Sequence, residues 1–270
     1  MPACLEPAPD WLVPDWRVDA RVRAFVTTRN GGVSTGAYAS LDLGYGAAGA
    51  ATRDDPAAVD ENRRRVAAHL PAAPRWLQQV HGCRVFDADA DDPASAAASS
   101  AAEPSAAAPI ADAAVTRRAG IPLVILVADC MPVLLAARDG SVIGAAHAGW
   151  RGLSAGVLEQ TLAAMHCAPA QVAAWLGPCI GARAFEVGAD VREAFGARDL
   201  SALRHFTAHG EGKWLADLPG LARQRLQHAG VMEVRGGTWC TVQDAARFYS
   251  YRRDGTTGRM GAFMWIEPAA

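Results

Sequence analysis

The sequence predicts an α+β fold: a layered sandwich of mixed β-sheets covered by helices, built as a single domain over residues 1–270. Three observations predict it. The runs "IPLVILVAD", "MPVLLAAR" and "SVIGAAHAG" are nearly continuous in apolar residues, as strands covered on both faces are. Helical patterns flank this centre on both sides in sequence. The chain of 270 residues, 51% hydrophobic and 20% charged, has ample material for a core.

The elements follow in order. "RVRAFVTTR" (Arg21–Arg29) reads as a strand and leads into a Gly-rich loop, "NGGVSTGAYASLDLG". "DDPAAVDENRRRVAAHL" reads as a helix, with Asp55 as N-cap and Pro56 in the first helical position. "RWLQQV" is expected to be a short strand ending at His81-Gly82, and "RVFDA" another. Ala88–Pro109, an Ala/Ser/Pro/Asp tract without periodicity, is expected to form a mobile surface loop. "ADAAVT" and the three apolar runs are strands. "LSAGVLEQTLAAMHC" reads as one helix, with apolar residues at 153, 157, 158, 162 and 165. "VAAWLG" is a strand. "GADVREAFG" and "DLPGLARQRLQHAG" are helices, the second capped by Asp217 and stopped at Gly230. "VMEVRGG" and "GAFMWIE" close the list as strands.

Composition excludes several classes. The formal net charge is −2, from 26 basic and 28 acidic residues, with no polybasic run, which argues against nucleic acid. No apolar stretch approaches the roughly 18 residues of a bilayer span, and the first residues do not resemble a signal peptide. Six irregularly spaced cysteines without CxxC do not make a disulfide framework, so the expected compartment is the reducing cytoplasm. Lys213 is the only lysine and has no neighbour in sequence to depress its pKa, which disfavours Schiff-base chemistry.

The stretch "VADCMPVLLAARDGSVIGAAHAGWRG" carries the chemistry. If Asp139-Gly140 forms a two-residue hairpin turn, Arg138 pairs with Ser141 and paired residue numbers sum to 279, so Cys130 lies opposite Gly149 and His147 opposite Pro132. Cys130 and His147 then share a face as diagonal neighbours, about 7–8 Å apart at Cα. Pro132 lacks an N–H, so the ladder is expected to end or bulge there. His81, at the end of "WLQQVHG", completes a set of two imidazoles and a thiolate. Three protein ligands plus an open position is the pattern of catalytic zinc. The same residue types also suit a core: a small buried Cys130, a strand-capping His81 and a satisfied core His147.

"TTRNGGVSTGAYASLDLG", "QVHG", "ADAAVT", "VADCMPVLL", "AAHAGWRGL", "LGPCIG" and "FYSYRRDGTTGRMGAFMWI" together resemble the YfiH-type, or laccase-domain, family. Its members have been called polyphenol oxidases, peptidoglycan editing factors and zinc-dependent purine nucleoside phosphorylases. The resemblance runs from about Arg21 to Ile266. It implies zinc held by His81, Cys130 and His147, and phosphorolysis of adenosine, inosine, guanosine and S-methyl-5'-thioadenosine. Adenosine deamination is implied as a second activity, and an α/β/β/α layered fold. The insert at 88–109 departs from the family pattern and affects the access path rather than the metal.

Nucleoside and phosphate are thus the expected partners. Arginine forks suit phosphate, and Arg151 in "HAGWRG" is the first candidate, followed by Arg63 in "ENRRR" and Arg29 beside the Gly-rich loop. Asp129 is a candidate proton carrier or partner for a histidine. Two alternatives stand beside this reading. A copper-dependent polyphenol oxidase would need many histidines and HxH pairs, whereas the chain has seven histidines and no HxH. A metal-free Cys–His hydrolase would use Cys130 and His147 and have no need of His81. The zinc-deaminase signature HxE with PCxxC is incomplete, because "PCIGA" lacks the second cysteine.

Overall fold

The computed structural model describes residues 8, 10–46, 52–90 and 108–268. Among the described residues twelve strands are present: β1 (Val22–Val26), β2 (Val85–Asp87), β3 (Ala113–Thr116), β4 (Leu123–Val127), β5 (Met131–Ala137), β6 (Ile143–Ala148), β7 (Val172–Leu176), β8 (Glu186–Val187), β9 (Phe206–Ala208), β10 (Trp214–Ala216), β11 (Glu233–Gly236) and β12 (Met260–Ile266). The α-helices of the described residues are α1 (Pro56–Ala67), α2 (Trp150–Ala155), α3 (Val157–Met165), α4 (Ala189–Gly196), α5 (Leu218–His228) and α6 (Tyr251–Asp254).

The strands form a mixed six-stranded sheet in the order β11-β7-β5-β6-β3-β2, a three-stranded sheet β1-β12-β4, and a small ribbon β8-β10-β9. Within the large sheet, β11 runs parallel to β7 and β2 parallel to β3; its other pairs are antiparallel. Side-chain alternation sends the two faces of the large sheet into different cores. Met131, Val133 and Leu135 of β5 join Leu153, Leu158, Leu162, Phe195 and Leu221 from the helices. Leu134 and Ala136 of the same strand meet Ile125 and Val127 of β4 and Met264 of β12. The outer face of the small sheet, through Phe25, Val124 and Phe263, is covered by Val66 of α1, Leu70 and Trp11. The layers are therefore helices, large sheet, small sheet, helix. Among the described residues no helix is long and apolar enough to cross a membrane.

The central hairpin has the register expected from Asp139-Gly140: Met131 pairs with Ala148 and Pro132 with His147. The turn itself is longer than the expected two residues: Gly140 N–H bonds the Ala137 carbonyl and Ala137 N–H the Val142 carbonyl, so residues 138–141 form a four-residue loop with Gly140 at φ +70 that keeps the same register. The ladder does not bulge at Pro132. His147 sends its N–H the other way, to the Asp112 carbonyl at 2.7 Å, so this pair exchanges no hydrogen bond and the missing N–H costs nothing there.

Three expectations need correction. The helix anticipated from Leu153 is two helices, because Gly156 breaks it at φ +107. "RWLQQV" is not a strand; its backbone makes isolated bridges, Arg75 to Leu123 and Gln78 to Ile110, and the Gln79 side chain bonds the Leu126 backbone of β4 through both its amide nitrogen and its amide oxygen. Most of the segment 88–109 lies outside the described residues, but its beginning is packed chain. Ala88 is buried and donates its N–H to the Val115 carbonyl at 2.9 Å, and the Asp89 carboxylate accepts from Thr116 Oγ1 at 2.6 Å.

The Gly-rich loop is held by two buried polar side chains. Asn62 of α1 donates to Ser34 Oγ and to the carbonyls of Ser40 and Asp42, and accepts from Val33 N–H. Asp42 Oδ1 accepts from Gly44 N–H at 2.8 Å and Arg259 N–H at 2.7 Å, tying the loop to the start of β12. Its Oδ2 is buried with no hydrogen-bond partner among the described residues. Burial pushes the Asp42 carboxyl up to about 7, against the opposing pull of the two N–H donors. Because the folded value lies above the ordinary 3.8, the stability Asp42 contributes is fully present below about pH 4 and is lost as pH rises through about 7. Asp42→Asn keeps the Oδ1 acceptor and removes the charge. The wild-type Tm should therefore fall relative to that of Asp42→Asn between pH 5 and pH 8 in thermal melts, and parallel curves would contradict the assignment.

Candidate metal centre

The chain passes from the small sheet to the large one between Val127 of β4 and Met131 of β5. Asp129 makes that step with φ +88, an unusual conformation for a residue bearing a side chain. Its carboxylate is occupied in holding the step: Oδ1 accepts from Thr241 Oγ1 at 2.5 Å and Oδ2 from Arg252 N–H at 2.6 Å. Its carbonyl accepts from Ile180 N–H. The structure thus gives Asp129 a clamping role, and its carboxylate partners are Thr241 and Arg252 rather than a histidine. The next residue, Cys130, sits at the seam between the sheets.

His147 lies near the end of β6, two positions beyond Ala145 and on the same sheet face, and is 3% exposed. His81 comes from the loop after Gln78 and has φ +61. The ligand atoms of His81, Cys130 and His147 all lie within 4.8 Å of one another, and this is the only such group of three or more among the described residues. Cys130 Sγ is 3.7 Å from His81 Nε2, and the two imidazole centroids are 4.8 Å apart. Gly149 must lack a side chain here, since a Cβ would come within 2.8 Å of Cys130 Sγ. The three descend from the surface: His81 is exposed, Cys130 half-buried and His147 buried.

The residue that sequence reasoning missed is Asp112, the aspartate of "ADAAVT". It is fully buried just before β3. Its Oδ1 accepts from His147 Nδ1 at 2.9 Å and from His81 N–H at 2.8 Å. Its Oδ2 accepts from Gly82 N–H at 2.7 Å and Val80 N–H at 3.2 Å. Nothing in the sequence around "ADAAVT" signals this; only folding shows that one carboxylate faces both histidines.

The electrostatics fit a ligand set. Burial opposes a Cys130 thiolate, but the His147 charge and hydrogen bonds from both imidazoles outweigh it and lower the thiol pKa. Burial likewise opposes protonated His147, and Cys130 and Asp112 overcome it and raise the value. Such a pair readily exchanges its proton for a cation. Geometry agrees: zinc bonds of about 2.3 Å to sulfur and about 2.0–2.1 Å to nitrogen, at a tetrahedral angle, place the two donors about 3.6 Å apart. The observed 3.7 Å therefore suits one ion bridging Cys130 and His81. Met131, the sequence neighbour of Cys130, packs into the helix-side core, so its thioether is turned away.

The arginine candidates separate. Arg151, at the start of α2, is exposed; its guanidinium lies 4.4 Å from the Trp150 ring centroid and makes no hydrogen bond or ion pair among the described residues. Arg63 is committed elsewhere. It donates twice to the Leu43 carbonyl and lies over the rings of Trp76 (3.7 Å) and Tyr45 (4.2 Å). Arg29 donates to the carbonyls of Ala39 and Ala245 and stacks on Tyr249. Both tie loops to the core, and neither has a hydrogen bond or ring contact to the His81–Cys130–His147 group. Cys179 of "LGPCIG" is fully buried in the helix-side core, which raises its thiol pKa.

Comparison with known proteins agrees with this architecture. Curated relatives include purine nucleoside phosphorylase from Pseudomonas aeruginosa, 46% identical over 95% of this chain and 98% of its own. Purine nucleoside phosphorylase YfiH from Escherichia coli is 46% identical over 94% of this chain and 98% of its own. Among solved structures, a Neisseria meningitidis protein of family DUF152 superposes with TM-score 0.86 at 43% identity, covering 96% of this chain and all of that one. YlmD from Geobacillus stearothermophilus gives TM-score 0.82 at 30% identity, covering 98% and 99%. The family profile described as multi-copper polyphenol oxidoreductase laccase matches residues 23–267, and the chain belongs to that family.

Proposed function

We propose that this chain is a zinc-dependent purine nucleoside phosphorylase of the cytoplasm, acting on adenosine, inosine, guanosine and S-methyl-5'-thioadenosine, with adenosine deamination as a side activity. The observation that carries the reading is the His81–Cys130–His147 group, open to solvent on the His81 side. Three ligands with an accessible fourth side suit catalysis, whereas a structural zinc is enclosed by four. The names of the relatives supply the reaction class. When bound, zinc supplies Lewis acidity to this pocket.

In phosphorolysis a phosphate oxygen forms a bond to ribose C1′ while the C1′–N9 bond breaks. The electron pair leaves with the purine, and the proton of hydrogen phosphate ends on the free base. Arg151 has the chemistry to hold the phosphate: a planar, permanently charged fork, exposed and with no competing anion among the described residues. Its contact with Trp150 restrains the guanidinium at the start of the helix that follows His147.

The copper reading, suggested by the family description, finds one three-residue group among the described residues and no axial Met131. A metal-free Cys–His hydrolase is favoured by one observation, the lowered Cys130 thiol beside the histidines. The two enzyme readings part at His81, which only a metal site requires.

Zinc-loaded protein incubated with adenosine, inosine or methylthioadenosine should release free base only when phosphate is present. Chelation or His81→Ala should abolish both metal retention and that release. Base release without phosphate, or full activity after chelation with loss on iodoacetamide treatment, would contradict the proposal. Arg151→Ala should raise the KM for phosphate about 10–100-fold, the worth of a charged hydrogen-bond pair, while leaving metal content unchanged. An unaltered phosphate KM in steady-state kinetics would remove Arg151 from the phosphate site.

A further inference from the structure

We propose that Asp112 is the positioning residue of the metal centre, one buried carboxylate that sets the orientation of both histidine ligands. The inference rests on the metal-centre reading and not on the reaction proposed for it.

Among the described residues the carboxylate receives four donors and meets no acceptor. His147 Nδ1 and His81 N–H point at Oδ1; Gly82 N–H and Val80 N–H point at Oδ2. Only an ionised carboxylate satisfies four donors in this way. An asparagine there would turn its NH₂ group against either the His147 side or the Gly82 side. Although burial opposes it, the hydrogen bonds from His147 and the backbone hold the Asp112 carboxyl below its usual value.

Each contact has a geometric consequence. With Nδ1 of His147 engaged by Asp112, Nε2 is the nitrogen left to face the ion. A histidine ligand whose second nitrogen is bonded to a carboxylate is fixed in both tautomer and ring plane. His81 is positioned through its backbone instead. The N–H groups of Val80, His81 and Gly82 converge on one anion, the concave arrangement by which successive amides grip a charge. This arrangement requires the left-handed φ of +61 at His81, which a residue with a side chain adopts only where its surroundings reward it. The same backbone conformation brings the imidazole to 3.7 Å from Cys130 Sγ. The Asp112 main chain adds to the hold, its carbonyl accepting from His147 N–H and its N–H donating to the Arg84 carbonyl. One residue thus aligns two ligands that lie 31 and 35 positions away in sequence.

The test is zinc affinity by chelator competition on purified wild type and Asp112→Asn, with folding checked by circular dichroism. The expected result is a folded variant whose zinc affinity is about 10–100-fold weaker. Nitrogen-15 NMR of zinc-loaded wild type should show His147 protonated at Nδ1 and metal-bound at Nε2. Folded Asp112→Asn with wild-type affinity overturns the proposal, since a merely structural residue would lower Tm and leave affinity alone. If Asp112→Asn does not fold, the wild-type spectrum decides, and a His147 bound through Nδ1 overturns it. Wild type that binds no zinc removes the metal centre itself, and the positioning role with it, which separates that failure from the failure of Asp112 alone.

Discussion

Between β4 and β5 the chain must leave one sheet and enter the other within three residues, Ala128 to Cys130. A step that short between stacked layers cannot keep ordinary strand geometry, so Asp129 adopts a positive φ and spends its carboxylate on Thr241 and the backbone of Arg252. The consequence is that Cys130 stands at the open seam of the sandwich rather than inside either core. The hairpin register then delivers His147 to the same seam from the neighbouring strand. The site is a product of the layering: two sheets brought face to face by apolar burial leave an edge where polar side chains can meet without crossing a core.

Around that seam the sequence uses close approach rather than bulk. Gly149 gives Cys130 Sγ its room, and Gly152 lets α2 approach the Gly82 carbonyl, which a Cβ would meet at 2.6 Å. Both glycines follow His147 closely, and the room at Gly149 lets His81 and Cys130 come together. The arginines divide similarly. Arg63 and Arg29 serve as internal donors to orphan carbonyls and stack on aromatic rings, whereas Arg151 remains at the surface.

What was legible in the sequence was whatever local rules determine. Asp139-Gly140 fixed a turn, the turn fixed a register, and the register placed Cys130 and His147 on one face. Capping residues and apolar spacing located α1, α4 and α5. What was not legible depended on contacts between distant segments. Asp112 sits in a run that reads simply as the start of a strand, and nothing nearby indicates that four donors will gather on it. Asp129 looked equally suited to partner a histidine until the tertiary structure committed it to Thr241. Gly156 lies inside the amphipathic pattern read as one helix, yet there the chain takes φ +107, so one helix ends and the next begins.

The central claim is that His81, Cys130 and His147 bind one zinc ion. Zinc X-ray absorption on the metal-loaded protein tests it most directly. The account predicts one sulfur neighbour at about 2.3 Å and two imidazole nitrogens at about 2.0–2.1 Å, with a further light-atom neighbour. A first shell without sulfur, or one holding several sulfurs, would contradict it.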